Sequence, residues 1–171
     1  MAEIGASVWL DGKIVDRKET ARVALLAHSL HYGVGAFEGI RAYQRASGET
    51  TIFRLREHIQ RLFDSCKLIM VEPSVTPAEV CQGCIDVLRT NQLSAGYLRP
   101  LVMLGEGAMG LFPRGNPVHT FVAAWAWGAY LGQDALERGI RCKISSYARP
   151  LANTALSRAK LTGQYIVSVM A

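Results

Sequence analysis

The four residues Thr76-Pro77-Ala78-Glu79 leave the chain around them little freedom. A threonine hydroxyl can accept from the first free backbone amides of a helix, and proline already has the φ of the first helical position. A glutamate three residues on returns a bond to the cap. The helix that begins here is expected to run to about Asn91 and to bury Val80, Cys84, Val87 and Leu88. A second helical pattern precedes it. Leu55, Ile59, Leu62, Phe63, Cys66 and Ile69 recur at the spacing of one helix face, which predicts an amphipathic helix over about Leu55 to Lys67.

Strand signals flank this helical pair. Val8 to Val15 is two β-prone runs joined by Asp11-Gly12, a dipeptide that tolerates the positive φ angles of a type I′ hairpin turn. Ala21 to Leu30 is apolar and reads equally as strand or short helix. Gly33 and Gly35 suggest a tight loop before a strand in which Phe37, Gly39, Arg41 and Tyr43 share a face. Ser47-Gly48-Glu49 makes a turn into a strand over Thr51 to Arg54. Gly96 to Leu104 is a strand with Tyr97, Arg99, Leu101 and Met103 on one face. Phe121 to Trp127 is continuously apolar, as in a strand buried on both faces. Gly128-Ala129-Tyr130-Leu131-Gly132 has the composition of a linker, and Ile140 to Tyr147 is read as a further strand.

Composition narrows the function classes. The 171 residues suit one domain, or one domain and part of a second, and half of them are hydrophobic. The net charge of +5 comes from 19 basic residues spread singly against 14 acidic ones. That pattern argues against nucleic acid and suits small anions such as carboxylates or phosphates. No apolar run is long enough to span a bilayer and the N-terminus lacks a secretion signal, so a cytoplasmic location with reduced cysteines is expected. Cys81-Gln82-Gly83-Cys84 lies inside the second helix without a second cysteine pair, so it reads as helix-face residues rather than a metal or redox motif. Gly105-Glu106-Gly107-Ala108-Met109-Gly110 follows a strand but opens no helix, so it is not a dinucleotide fingerprint and reads as a mobile surface loop to Pro117.

Four residues raise chemical questions. Lys160 sits among small residues in Ser157-Arg158-Ala159-Lys160-Leu161-Thr162-Gly163-Gln164-Tyr165, and a lysine amine can form a Schiff base with an aldehyde. Arg61, at the edge of its helix stripe, could simply pair with Glu57 one turn earlier. Gly39 marks either a bulge or a close approach by a ligand or another backbone. Arg99 is either a carboxylate anchor, its fork matching two oxygens, or an edge-strand residue in solvent. His28 and His31 read as ordinary hydrogen-bonded histidines.

Seven ordered stretches together resemble the fold-type IV pyridoxal-phosphate enzymes, most closely the branched-chain amino acid aminotransferases. They are Trp9 to Gly12, His31 to Gly33, Phe37 to Arg41, Arg56 to Leu62, Tyr97 to Pro100, Gly128 to Gly132 and Ala159 to Tyr165. The resemblance implies an α+β fold: a small N-terminal domain over 1–128, a linker over 129–136 and the start of a larger cofactor-binding domain over 137–171. It implies that Lys160 holds pyridoxal 5′-phosphate covalently and acts as general acid and base, that Arg61 binds the phosphate, and that Tyr165 meets the pyridine O3′. Phe37, Gly39, Tyr97, Arg99 and Tyr130 match positions that line the substrate pocket. Tyr32 and Leu111 match positions lent to a neighbouring subunit, which implies at least a homodimer.

The implied activity is amino transfer between branched-chain L-amino acids and 2-oxoglutarate, with neither nucleic acid nor membrane as partner. Family members extend well past the lysine, so the acidic partner of the pyridine nitrogen and the remaining phosphate loops are expected outside these 171 residues. The piece is expected to be either a portion of a longer enzyme or a fragment that is not active. The competing readings are a D-amino acid aminotransferase or aminodeoxychorismate lyase of the same fold, or a non-catalytic dimerising fragment.

Overall fold

A computed structural model describes residues 4–128, 133–151 and 153–171. Its framework is an antiparallel sheet of seven strands with two helices packed on one face. Strands β1 (Ser7–Leu10) and β2 (Lys13–Asp16) form the expected hairpin, closed by Asp11 at φ 45° and Gly12 at φ 97°. Asp11 also accepts from the Thr120 amide at 2.7 Å and from His119 Nδ1 at 2.7 Å, which fastens the turn to the strand that pairs with β1 on its other side.

Ala21 to Leu30 is neither of the two alternatives along most of its length. It runs as irregular chain into the short helix α1 (His28–Tyr32), which stops at Gly33 in the left-handed region. Strands β3 (Gly35–Phe37) and β4 (Ile40–Gln44) follow, and the ladder is interrupted at Glu38 and Gly39, where the Glu38 amide donates to the Pro100 carbonyl at 2.9 Å but the proline has no N–H to return the bond. The alternation nevertheless survives the gap, with Ile40 and Ala42 buried against the helices and Phe37 on the opposite face. Strand β5 (Thr50–Ile52) is shorter than expected, because Arg54 turns left-handed at φ 47° to start the next helix.

Helix α2 (Leu55–Leu68) and helix α3 (Pro77–Thr90) match the expected spans within a residue or so, and the capping box at Thr76 and Glu79 is present. Strand β6 (Gly96–Leu104) is as expected. Strand β7 (Val118–Trp125) begins three residues earlier than its apolar run. Burial of β7 on both faces holds only at Val122 to Ala124, since Phe121 and Trp125 are half-buried on the face away from the helices. The sheet order is β2-β1-β7-β6-β4-β5, with β3 also paired to β6. Strand β6 is therefore central.

Two clusters fill the space under the helices. One gathers Trp9, Ile40, Ile59, Val80, Cys84, Leu98 and Val122, and the other Ala36, Leu62, Cys66, Val102 and Leu104. Cys84 is buried within the first, and burial raises its thiol above the ordinary range, so the C-x-x-C motif presents no reactive thiolate there. Gly83 in the same motif lies beneath the Trp9 ring, and a Cβ there would stand 2.6 Å from Trp9 Cδ2.

The Gly105 to Pro117 loop is braced rather than loose. Buried Asn116 accepts from the Ala108 amide at 2.8 Å and donates to the Ala108 carbonyl at 3.2 Å. His28 Nε2 donates to the Gly110 carbonyl at 2.8 Å, and His31 Nε2 to the Leu25 carbonyl at 2.8 Å, so both histidines are ordinary hydrogen-bonded residues.

The strand expected over Ile140 to Tyr147 is not formed. That segment is irregular and exposed, with Ile144 at 95% exposure. No strand among the described residues pairs with it, and without a ladder an apolar run is not a strand. Helices α4 (Gln133–Arg138) and α5 (Ile166–Met170) flank this part of the chain, the latter entered through a 3₁₀ turn at Thr162–Tyr165. No helix among the described residues is long and apolar enough to cross a membrane.

Replacing Gly83 by alanine distinguishes packing from propensity. Helix propensity alone favours alanine by about 1 kcal/mol. Because the Trp9 ring occupies the space a Cβ needs, Gly83→Ala is expected to destabilise by about 1–3 kcal/mol instead. Urea unfolding midpoints of the two chains check this.

Candidate active site

The sheet face away from α2 and α3 carries cations among aromatic rings. Along β6, Tyr97, Arg99, Leu101 and Met103 share this face, as the period of two requires, and all are partly buried. Because β6 is central, the reading of Arg99 as an edge-strand residue is overturned. Its guanidinium lies 4.7 Å from the Phe37 ring centroid and 5.4 Å from that of Tyr97, and its Nη2 donates to the Tyr97 hydroxyl at 3.2 Å. Arg99 Nε is buried without a hydrogen-bond partner. An aromatic face partly offsets desolvation of a cation, but a buried unpaired N–H still costs free energy.

Tyr97 meets Gly39 across the β4–β6 pairing, and a Cβ at residue 39 would collide with its hydroxyl and ring. The glycine thus marks a close approach, here by a side chain. Arg41 on the next strand has Nη1 on the Gly128 carbonyl at 3.3 Å and a buried, unpartnered Nε.

The Lys160 segment lies along the free side of β3. The Phe37 amide donates to the Lys160 carbonyl at 3.1 Å, and Ala36 bridges Leu161. Further on, Gly163 and Gly33 pack backbone to backbone, so closely that a Cβ at Gly33 would stand 3.0 Å from Gly163 Cα. This places the Lys160 amine 4.5 Å from the Phe37 ring centroid and 4.9 Å from that of Tyr165, donating to the Tyr165 hydroxyl. The Phe37 and Tyr165 rings meet edge to face at 4.9 Å.

Arg61 does not pair with Glu57, which Arg54 engages instead at 2.9 Å. It reaches from α2 to the gap between β3 and β4 and grips Glu38, Nε to Oε1 at 2.5 Å and Nη2 to Oε2 at 2.7 Å. His58 Nδ1 donates to the same carboxylate at 2.9 Å. Burial by itself raises the Glu38 pKa, but the hydrogen bonds and charges of Arg61 and His58 outweigh it and hold the carboxyl below its ordinary value. The grip uses the Nε–Nη2 edge of the guanidinium. Among the described residues no hydrogen bond engages Nη1, the side chain is half-exposed, and the Glu38 carboxylate favours the charged guanidinium.

Phe37, Gly39, Tyr97, Arg99, Lys160 and Tyr165 therefore form one group, joined to Arg61 through Glu38. Tyr32 and Leu111 lie apart from it. Tyr32 stacks on His28 at 4.5 Å, His28 holds Gly110, and the neighbouring Leu111 is 90% exposed. Tyr130 lies outside the described residues. Sequence reasoning missed two polar residues. Glu38 shares the buried face with Ile40 and Ala42, a carboxylate where only a paired one belongs, and Ser65 sits within the apolar stripe of α2.

The chain matches the amino-transferase class IV family model over residues 35–171. It is 42% identical to the branched-chain-amino-acid aminotransferase of Pseudomonas aeruginosa, over 100% of this chain and 55% of that one. The solved branched-chain amino acid aminotransferase of Escherichia coli superposes with a TM-score of 0.92 at 40% identity, covering 96% of this chain and 54% of the other. The branched-chain aminotransferase of Thermoproteus uzoniensis, solved with norvaline, gives 0.89 at 35% identity, over 98% and 55%. The branched-chain amino acid aminotransferase of Thermobaculum terrenum, solved in its PLP-form, gives 0.81 at 26% identity, over 99% and 54%. The chain thus spans about half the length of the relatives it matches, and the likeness agrees with the fold-type IV, α+β architecture expected from the motifs.

Glu38 gives the acid limb of stability a defined sign. Its folded pKa is depressed, so its contribution is complete above the unfolded carboxyl value near 4.5 and is lost as pH falls through the folded value. Glu38→Gln is expected to cost about 2 kcal/mol at pH 7, less than a fully buried pair because Arg61 is half-exposed. Its deficit should shrink as pH falls below the ordinary carboxyl value and the wild-type carboxylate protonates. Urea unfolding from pH 3 to 7 checks this, and a deficit independent of pH would contradict it.

Proposed function

The chain belongs to the class IV aminotransferase family, and from that membership we propose that it carries the amine, phosphate and substrate contacts of a branched-chain amino acid transaminase. The observation that carries the reading is the Lys160 amine, bonded to Tyr165 over the Phe37 ring, together with a half-exposed Arg61 whose Nη1 makes no hydrogen bond among the described residues. Pyridoxal 5′-phosphate fits these residues: a primary amine for its aldehyde, a phenol for its O3′, and a guanidinium edge for two phosphate oxygens. When bound, the cofactor supplies an electron-withdrawing ring that accepts the electron pair left at the substrate Cα.

The chain's own residues supply the remainder. Arg61, steadied by Glu38, presents fixed N–H donors to a phosphate. Lys160 Nζ would take the proton from the substrate Cα as general base and, as general acid, deliver it to the carbon that carried the cofactor's aldehyde. Tyr165 and Phe37 flank that amine and keep water from its two sides. Arg99 offers a cation to a carboxylate, and Gly39 and Tyr97 shape the wall beside it. The amino group moves from leucine, isoleucine or valine to 2-oxoglutarate in two half-reactions. The domain division at 129–136, a cytoplasmic setting and the homodimer belong to the same reading. Tyr32 and Leu111 then face a neighbouring subunit's site, with a dimer in sedimentation equilibrium as the signature.

Reduction with borohydride after incubation with pyridoxal 5′-phosphate is expected to leave a pyridoxyl group on Lys160, and none on that peptide in Lys160→Ala. Peptide mass spectrometry that places the adduct on Lys143 in the wild-type chain would overturn the assignment. In a transaminase-active preparation, Arg99→Ala is expected to weaken glutamate and 2-oxoglutarate more than leucine, by about 2 kcal/mol for one charge-assisted contact. Equal losses in kcat/KM for both substrate types would make Arg99 structural.

A further inference from the structure

We propose that Ser65 is a positioning residue, which sets the span between the Lys160 amine and the Arg61 guanidinium so that one phosphate-bearing aldehyde reaches both. The inference rests on the reading of those two residues given above.

Ser65 lies on α2 one turn beyond Arg61 and is 1% exposed. Its hydroxyl donates to the Arg61 carbonyl at 2.9 Å and accepts from the Lys160 amide at 3.1 Å. A serine that bonds back to the carbonyl four residues earlier adds little to the helix itself. What that bond does is hold the hydroxyl in one orientation, leaving a lone pair aimed at the Lys160 amide. On its other side, the Lys160 carbonyl accepts from the Phe37 amide at 3.1 Å. The lysine backbone is thus held between the helix that carries Arg61 and the strand that carries Phe37.

The consequence concerns geometry more than stability. Arg61 is fixed to the β3–β4 gap by Glu38, and its own carbonyl is the point from which Ser65 reaches the lysine. An alanine at residue 65 leaves the Lys160 amide without its acceptor in a partly buried place, and the lysine Cα is free to shift. A shift of about 1 Å is enough to spoil a two-point contact.

The experiment compares two aldehydes on the whole chain. Wild type, Ser65→Ala and Ser65→Cys are incubated separately with pyridoxal 5′-phosphate and with pyridoxal and reduced with borohydride. Pyridoxyl groups on Lys160 and on exposed Lys13 are then quantified by peptide mass spectrometry. Lys13 corrects for the intrinsic reactivity of each aldehyde. In the wild type, the phosphate form is expected to label Lys160 about tenfold better than pyridoxal, since one charge-assisted contact is worth that much. Ser65→Ala is expected to lose most of that ratio. Ser65→Cys, which keeps the volume but bonds weakly, is expected to fall between and serves as the test if the alanine chain does not fold. A serine that merely stabilises lowers both labels together, and an unchanged ratio in the variants therefore overturns the proposal. A wild-type chain with no phosphate preference at Lys160 instead removes the two-point reading itself, and the proposal with it.

Discussion

The bidentate contact between Glu38 and Arg61, at 2.5 and 2.7 Å, joins the helical layer to the sheet at the one place where pairing along β3 and β4 lapses. A carboxylate without exposed surface is tolerable only when cations and hydrogen bonds replace its water. Arg61 and His58 both come from α2, so satisfying Glu38 also fixes that helix in rotation about its axis. With the helix fixed, Ile59, Leu62 and Cys66 face the sheet, and Ser65 comes within reach of the Lys160 segment. Packing and site geometry therefore share a cause.

The two faces of the sheet solve different problems. Beneath the helices, Trp9, Ile40, Leu98 and Val122 make a dry core in which burial of apolar area is the main favourable term. On the other face, Arg99 and Lys160 lie against Phe37, Tyr97 and Tyr165, where ring faces partly compensate for lost solvation. The buried, unpartnered Nε atoms of Arg41 and Arg99 show that compensation is incomplete. An anion at this face would complete it.

The Ser65 hydroxyl and the Glu38 carboxylate show why a site can be legible in part. Lys160, Tyr165, Arg61 and the pocket residues stood out because their stretches are distinctive in type and order. Glu38 stood within one of those stretches yet drew no reading, although alternation along Phe37 to Tyr43 placed it with Ile40 on the buried side. Ser65 gave still less, since a serine within a helix stripe signals nothing until the element it faces is known. The bond each makes spans tens of residues, and no local pattern encodes a partner so distant.

Local chemistry alone determined the hairpin at Asp11-Gly12, the capped start of α3, the amphipathic stripe of α2 and the length of β6. Each depends on backbone preferences and periodicities that act within a few residues. Tertiary structure decided the rest. It made β6 central and so removed solvent from Arg99. It turned Arg61 from Glu57 to Glu38, and laid the Trp9 ring on Gly83. It also left Ile140 to Tyr147 irregular and unpaired among the described residues, because strand formation needs a neighbour's backbone and an apolar run only makes a segment willing to find one.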